Sequence, residues 1–306
     1  MLQTSPCCVV LIIRHIISSV LLLFRRAFTF FESLPAHTYK HIGFHNQGTN
    51  DETSARLLKC DPYLRRASGT LTSLEIMFAQ FEIDQLKQQF AAQNEFLVVD
   101  RLLGPEKLQP LLTRLPQLRR SVHRNYLPKH KKGGSVSRFV LDRMAPAFES
   151  LYTLPEFTQG LSYITGRSLL RCPGNDPHTY ALYCYTEPGD HVGWHYDTSY
   201  YRGLRYTVLL GLVDRSSSRL EYQLYRDDPE RETESLSLAL APGMLVVFNG
   251  DKLYHRVTPL GQGEERIVLT MEYVTDVRMS ATRRLISNMK DAIAYFGFRD
   301  AFQGRR

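Results

Sequence analysis

Residues 185–197 read Tyr-Thr-Glu-Pro-Gly-Asp-His-Val-Gly-Trp-His-Tyr-Asp. A Tyr- and Leu-rich run, Tyr180 to Thr186, leads into a Pro188-Gly189-Asp190 turn, and the segment closes on His195-Tyr196-Asp197. Alternate residues of an extended chain point to the same side. His195 and Asp197 therefore offer an imidazole and a carboxylate to one point in space. Sixty residues further on, His255 follows an apolar run and a polar turn, Phe248-Asn249-Gly250-Asp251-Lys252-Leu253-Tyr254.

The flanking sequence predicts the setting. Ser168 to Arg171, Tyr180 to Thr186, Tyr206 to Leu212, Arg219 to Tyr225, Met244 to Phe248 and Arg266 to Val274 are rich in Val, Leu, Tyr and Thr and read as strands. Pro188-Gly189-Asp190, Asp227-Asp228-Pro229, Pro242-Gly243 and Gly261-Gln262-Gly263 mark turns between them. Many short strands without βαβ alternation indicate a sandwich or jelly roll. Before Gly166 the pattern is mainly helical. Phe78, Phe81, Ile83, Leu86 and Phe90 recur at helical spacing, and Phe96 to Val99 reads as a strand. Pro105 opens a second helix that Pro116 ends near Leu115. A helical pattern covers Ala145 to about Thr165, split by Pro155, and Ser280 to Phe296 is helical again. His130-Lys131-Lys132-Gly133-Gly134-Ser135 reads as a basic loop, with a lid over substrate as its functional alternative.

Two histidines and one carboxylate on one face leave three coordination positions open. That set suits a non-haem Fe(II) that must also bind oxygen and a co-substrate. Zinc accepts similar ligands, so the triad alone does not name the metal. Arg266 adds what the triad lacks. It opens an apolar strand eleven residues beyond His255, and a guanidinium there is costly to bury without an anion. Its planar fork suits a carboxylate, and the far carboxylate of 2-oxoglutarate is such an anion.

Tyr185, Pro188-Gly189-Asp190, His195-x-Asp197, His255 and Arg266, in that order and spacing, resemble the Fe(II)/2-oxoglutarate-dependent dioxygenases over about residues 168–275. The resemblance implies an α+β fold whose core is a double-stranded β-helix, or jelly roll, at about residues 166–276, with flanking helices. It implies His195, Asp197 and His255 as iron ligands, Arg266 as the 2-oxoglutarate anchor and Tyr185 as a co-substrate contact, a role Tyr183 is placed to share. His195-Tyr-Asp-Thr-Ser-Tyr-Tyr-Arg-Gly and the tail from Asn288 to Phe298 are similar to the free amino-acid halogenase group. Those halogenases carry Gly where this chain has Asp197, and the small residue frees an iron position for chloride. Asp197 therefore predicts hydroxylation, with Fe(II), 2-oxoglutarate and O2 consumed and succinate and CO2 released. The expected substrate is a small molecule, a free amino acid being the candidate. Alternatives are a prolyl-type protein hydroxylase, a nucleic-acid demethylase and a non-catalytic metal-binding jelly-roll module. The demethylase reading is weakened because the R-x-N-x-x-x-R strand of such enzymes reads Arg266, Val268 and Glu272 here.

Bulk properties set the remaining limits. The 306 residues are 43% hydrophobic and 11% aromatic, enough for a sizeable core. Five cysteines without a CxxC pair argue against a disulfide framework or a structural zinc site and suit a reducing cytoplasm. The net charge of +7 is mild, and residues 1–76 hold eight Lys/Arg against five Asp/Glu, so the remainder carries only four of those charges. Those first 76 residues are atypical. Cys7 to Phe24 is apolar, but Arg14 interrupts it and Arg25-Arg26 follow it, the reverse of a secretory signal. The expectation is an oxygenase domain over 77–306, with Met77 as the true start and a membrane anchor at residues 7–24 as the alternative. The oligomeric state is not legible.

Other residues carry paired readings. Trp194 walls a pocket or packs in the core; His191 supports the site or sits in a solvated turn. Asn249 orients His255 or serves its turn. Tyr295, Phe296 and Phe298 belong to a docked helix more naturally than to a substrate cage.

Overall fold

The structure is a computed structural model that describes Phe78 and residues 80–297. The expectations for residues 1–76, for the start at Met77 and for Phe298 lie outside the described residues. The elements in chain order are α1 (Ile83–Ala92), β1 (Phe96–Val99), α2 (Pro105–Leu112), α3 (Leu115–Leu118), β2 (His123–Leu127), β3 (Lys131–Val136), α4 (Arg138–Met144), α5 (Ala147–Thr153) and α6 (Pro155–Thr165). There follow β4 (Leu170–Arg171), β5 (Tyr180–Tyr185), β6 (His191–His195), β7 (Arg205–Arg215), β8 (Leu220–Leu224), β9 (Glu234–Leu238), β10 (Leu245–Asn249), β11 (Tyr254–Val257), β12 (Glu265–Val274) and α7 (Ala281–Asp291), which runs into a π-helical turn, Ala292–Phe296.

All pairings are antiparallel, in the order β1-β10-β7-β12-β5-β3-β6-β11-β8-β9. The strand β3 joins the two halves of this sheet. Its end at Gly134–Val136 pairs with β5, and its start at Lys131–Lys132 pairs with β6. The expected jelly roll with flanking helices is therefore present, and it draws in β1 and β3 from before residue 166.

Strand alternation sorts the side chains. Ile267, Leu269, Met271 and Tyr273 of β12 join Leu182 and Cys184 of β5, Val208 and Leu210 of β7, and Leu245 and Val247 of β10 in a core under the helices. Phe90, Phe148, Phe157 and Leu161 cover that core from α1, α5 and α6. The opposite parity faces the other half of the sheet. Val246, Phe248, Val268 and Leu224 fill a second core there, with Phe96 stacked on Tyr222. Arg205, Thr207, Arg266 and Glu272 share the parity of this inner face and are buried. The helices end and join as their sequences dictate. Gly166 closes α6 at φ 65°, in the left-handed cap that favours glycine. Gly160 admits Phe78, whose Cε2 lies 2.2 Å from where a Cβ would stand.

Four sequence readings need correction. The basic "loop" at 130–135 is β3, an interior strand, so it is no lid. Pro116 does not end the helix begun at Pro105. That helix stops at Leu112, and Pro116 sits in the first turn of α3, where its missing N–H costs nothing. The helical stretch begins at Arg138 and breaks at Ala145-Pro146 as well as before Pro155. The strand expected at Ser168 to Arg171 shrinks to the two residues of β4. Strands β2, β6, β9 and β11 went unread.

Asp190 fixes the turn that feeds β6. Its side chain is fully buried, accepts two hydrogen bonds from Arg124 (2.8 and 2.7 Å) and takes the Thr186 and Glu187 N–H groups at 2.9 and 3.0 Å. Burial works to raise its pKa, but Arg124 and the two N–H groups outweigh it and hold the carboxyl below the usual range. A depressed folded-state pKa stabilises above the unfolded value and is lost as pH falls through the folded one. Asp190→Asn is accordingly expected to cost about 2 kcal/mol at pH 7. Urea melts should show this gap narrowing below about pH 4; a gap that stays constant to low pH would contradict the assignment.

Candidate metal centre

His195 ends β6 and His255 lies on β11, directly opposite it in the antiparallel register. Their rings are 4.2 Å apart between centroids. Each Nδ1–H donates to a backbone carbonyl two residues earlier: His195 to Gly193 at 2.8 Å, His255 to Leu253 at 3.1 Å. Those bonds set the tautomer and turn both Nε2 atoms toward Asp197. Asp197 lies just past the end of β6. Its Oδ1 is 3.5 Å from His195 Nε2, and its Oδ2 is 4.0 Å from His255 Nε2. One ligand atom from each of the three residues lies within 4.8 Å of the other two, a grouping that could hold a metal ion.

Neighbours hold the carboxylate in place. Thr207 Oγ1–H donates to Asp197 Oδ2 at 2.8 Å. Arg205 stands 4.0 Å from Asp197 Oδ1 and is ion-paired with Glu272 on its other side. Burial works against both charges of the first pair. Arg205 and the two histidines nonetheless keep the Asp197 carboxyl well below its usual range, while Glu272 and Asp197 raise the Arg205 pKa. Burial and the neighbouring His195 push His255 down to about 4, so it is a neutral imidazole. Behind Asp197 runs Gly250, whose N–H donates to Arg205 O at 2.8 Å. A Cβ on Gly250 would lie 2.4 Å from the Asp197 carbonyl oxygen.

Arg266 is 1% exposed. Its Nη1 donates to Ser218 O at 3.2 Å, its Nε has no hydrogen-bond partner, and no carboxylate among the described residues forms an ion pair with it. Burial pushes its pKa down, partly offset by Tyr185 and Asp214. Tyr185 is its cross-strand partner on β5 and is itself buried, packed with Val192 and Leu260. A buried guanidinium with an unmatched Nε is the arrangement an anion from outside the chain would complete.

Other residues sort by the face they occupy. Trp194 stacks on Tyr254 (5.1 Å, 12°), with Arg256 over its ring, one step out of phase with His195. His191 Nδ1–H donates to Gly189 O at 2.8 Å within its turn. Asn249 serves its turn: Oδ1 accepts from Asp251 N at 3.0 Å and Nδ2 donates to Glu95 at 2.8 Å, with no bond to His255. Tyr295 and Phe296 dock on the His178 ring at 4.4 and 4.9 Å. His178, Arg205 and Asp291 belong to this interior and went unread, because each gains its meaning from a distant partner, while Lys131 was read as part of the basic loop and is an interior strand residue. His178 Nδ1–H donates to Asp291, 113 residues away, at 2.6 Å, and its Nε2 accepts from Tyr183 Oη at 2.8 Å.

Comparison with known proteins bears on the fold that carries this site. Among solved structures, the epimerase SnoN from nogalamycin biosynthesis, a non-haem α-ketoglutarate-dependent enzyme, matches with a TM-score of 0.52 at 13% identity, over 62% of this chain and 81% of its own. A prolyl hydroxylase from Trichoplax adhaerens, in complex with a hypoxia inducible factor peptide, gives 0.53 at 14% identity, over 68% and 94%. The fold is that of the 2-oxoglutarate-dependent iron oxygenases. A family model described as HalD, Halogenase D, matches residues 78–208, which include His195 and Asp197. The chain thus shares the fold of these oxygenases and is similar to the halogenase model over residues 78–208, less than half of its length. No curated protein matches the chain. Among the described residues, no helix is long and apolar enough to cross a membrane.

Gly250→Ala should push the Asp197 backbone out of place and weaken Co(II) binding by roughly tenfold or more. Gly104→Ala, where an added Cβ meets nothing within 4 Å, should leave it unchanged. Equal affinities in a metal titration of the two variants would show that Asp197 does not depend on this close approach.

Proposed function

We propose that the chain is an Fe(II)- and 2-oxoglutarate-dependent oxygenase that hydroxylates a small molecule, with a free amino acid as the candidate substrate. The observation that carries this reading is Asp197, a carboxylate set between two imidazole Nε2 atoms in a fold that also buries Arg266 with an unmatched Nε. The fit to the cofactors is chemical. Two imidazoles and one carboxylate form the facial set that leaves positions for oxygen and a chelating co-substrate.

In this reading His195, Asp197 and His255 hold the iron, and Arg266 takes the far carboxylate of 2-oxoglutarate as Tyr185 closes the space beside it. Bound there, iron with 2-oxoglutarate and O2 supplies oxidative decarboxylation to succinate and CO2, coupled to hydroxylation of a C–H bond. The chain's own part is geometry. The Gly193 and Leu253 carbonyls hold the imidazoles in their ligating tautomer. Thr207 and Arg205 keep Asp197 ionised and aimed, and the apolar inner core of Phe248, Leu253 and Val268 excludes water. The retained carboxylate favours hydroxylation over halogenation, since it occupies the position that halogenases leave to chloride.

His195→Ala should abolish substrate-dependent succinate release, and turnover at the wild-type rate would remove the metal assignment. Arg266→Met should raise the Kd for 2-oxoglutarate by about a hundredfold while sparing metal affinity. Calorimetry separates the two effects, and an unchanged Kd would contradict the anchoring role.

A further inference from the structure

The turn between β10 and β11, Asn249-Gly250-Asp251-Lys252-Leu253, touches both His255 and the segment that carries Asp197. Leu253 O accepts the His255 Nδ1–H. Gly250 closes on the Asp197 backbone from behind. Asp251 Oδ1 accepts the N–H of Ser199, two residues past Asp197, at 3.2 Å. The turn is wound on its first residue. Asn249 O accepts from the Lys252 and Leu253 N–H groups at 3.1 and 3.2 Å, and Asn249 Oδ1 accepts from the Asp251 N–H at 3.0 Å. Whatever fixes Asn249 therefore fixes the turn.

Glu95 fixes Asn249, and it comes from outside the strands that carry the site. It stands between α1 and β1. Its backbone O accepts the Asn249 N–H at 3.0 Å. Its Oε2 accepts from Asn249 Nδ2 at 2.8 Å and from Tyr206 Oη at 3.0 Å, and its Oε1 accepts from Lys252 Nζ at 2.6 Å. Asn249 and Tyr206 are cross-strand partners on β10 and β7. Tyr206 lies between Arg205 and Thr207, the two residues that hold the Asp197 carboxylate. Burial works to raise the Glu95 pKa, but Lys252, Asn249 and Tyr206 outweigh it, so the group is a carboxylate at neutral pH.

The backbone at this junction is strained. Asn94 and Glu95 have φ of 55° and 60°, in the left-handed region. Asparagine tolerates that region, whereas a glutamate there is uncommon. Glycine would make the bend at lower cost. A costly conformation of this kind persists where its surroundings hold it and points to a use. Here it delivers a carboxylate to the turn.

We propose that Glu95 is a positioning residue of the metal centre: from the junction of α1 and β1 it locks the turn Asn249–Leu253, and through that turn it holds His255 and Asp197 in register. The inference rests on the reading above that His195, Asp197 and His255 hold a metal. It gives the helical part of the chain a part in coordination, acting from the helix side of the sheet while Arg205 and Thr207 act from the inner side.

The test is Co(II) titration of the full chain followed by visible absorption, beside hydrogen exchange of the metal-free chain over residues 249–253. Glu95→Ala is expected to weaken Co(II) by roughly tenfold or more, to change the absorption band at saturating metal and to speed exchange in the turn. Glu95→Gln keeps an oxygen for Asn249 and Tyr206, and should recover most of the affinity and the wild-type band. Tyr225→Phe is the control. Tyr225 Oη–H donates to Ala92 O at 2.7 Å, a tie of the same junction that misses the turn. Its loss should lower Tm and leave Co(II) affinity, band and turn exchange unchanged. The proposal is overturned if Glu95→Ala binds Co(II) like wild type, if Tyr225→Phe weakens it as much, or if Glu95→Gln fares no better than Glu95→Ala. If Glu95→Ala does not fold, Tyr206→Phe takes its place, since it removes one donor to the same carboxylate; weaker Co(II) with faster turn exchange is expected, and wild-type behaviour in both overturns the proposal. A wild-type chain that binds no Co(II) removes the metal reading. Turn exchange that still depends on Glu95 would then uphold its hold on the turn, and exchange independent of Glu95 would overturn that as well.

Discussion

Arg205 is the charge on which the interior depends. It is buried between two carboxylates, ion-paired with Glu272 and 4.0 Å from Asp197. A guanidinium so placed depends on these two acidic neighbours. It couples the strand pair β7–β12 to the loop that carries Asp197. Thr207, two residues along the same strand, adds a hydrogen bond to the same carboxylate. The backbone closes the arrangement from behind, where Gly250 N–H binds Arg205 O and leaves no room for a side chain against Asp197. The Asp197 carboxylate is thus aimed from three directions by the chain itself, which is the preorganisation a coordination site would need.

The alternation of β12 separates labour within the barrel. Ile267, Leu269, Met271 and Tyr273 bind the helices, while Arg266 and Glu272 enter the interior six residues, and so nearly the length of the strand, apart. Arg266 stands with Tyr185 at one end; Glu272 stands with Arg205, His178 and Lys290 at the other. Asp197 feels Arg205 and both histidines between them. An arginine without a carboxylate partner lies on one side of Asp197, and a small cavity lined by residues of both charges lies on the other.

Much of this was legible in sequence, and the exceptions have physical causes. His195, Asp197, His255 and Arg266 are readable because short strands convert spacing into direction. The central strands, rich in Val, Leu and Tyr, appear close to their expected bounds. Strand β3 was misread because Gly133 and Gly134 look like a turn. In the fold those glycines give way to neighbours: a Cβ on Gly134 would lie 2.3 Å from Val122 Cγ1, and Gly133 faces the Tyr185 ring. Strand β6 has a composition poor in strand formers and is held by its pairing with β11 and β3. Arg205, His178 and Asp291 carry no local pattern. Their roles come from contacts across 67 and 113 residues, which no spacing rule reports.

The central claim is that three side chains hold iron beside an arginine that holds 2-oxoglutarate. Anaerobic titration with Fe(II) and then 2-oxoglutarate, followed by visible absorption, tests it most directly. The account predicts a weak metal-to-ligand charge-transfer band that needs both additions and disappears in Asp197→Ala. Absence of the band in the wild-type chain, or its persistence at full strength in that variant, would contradict the account.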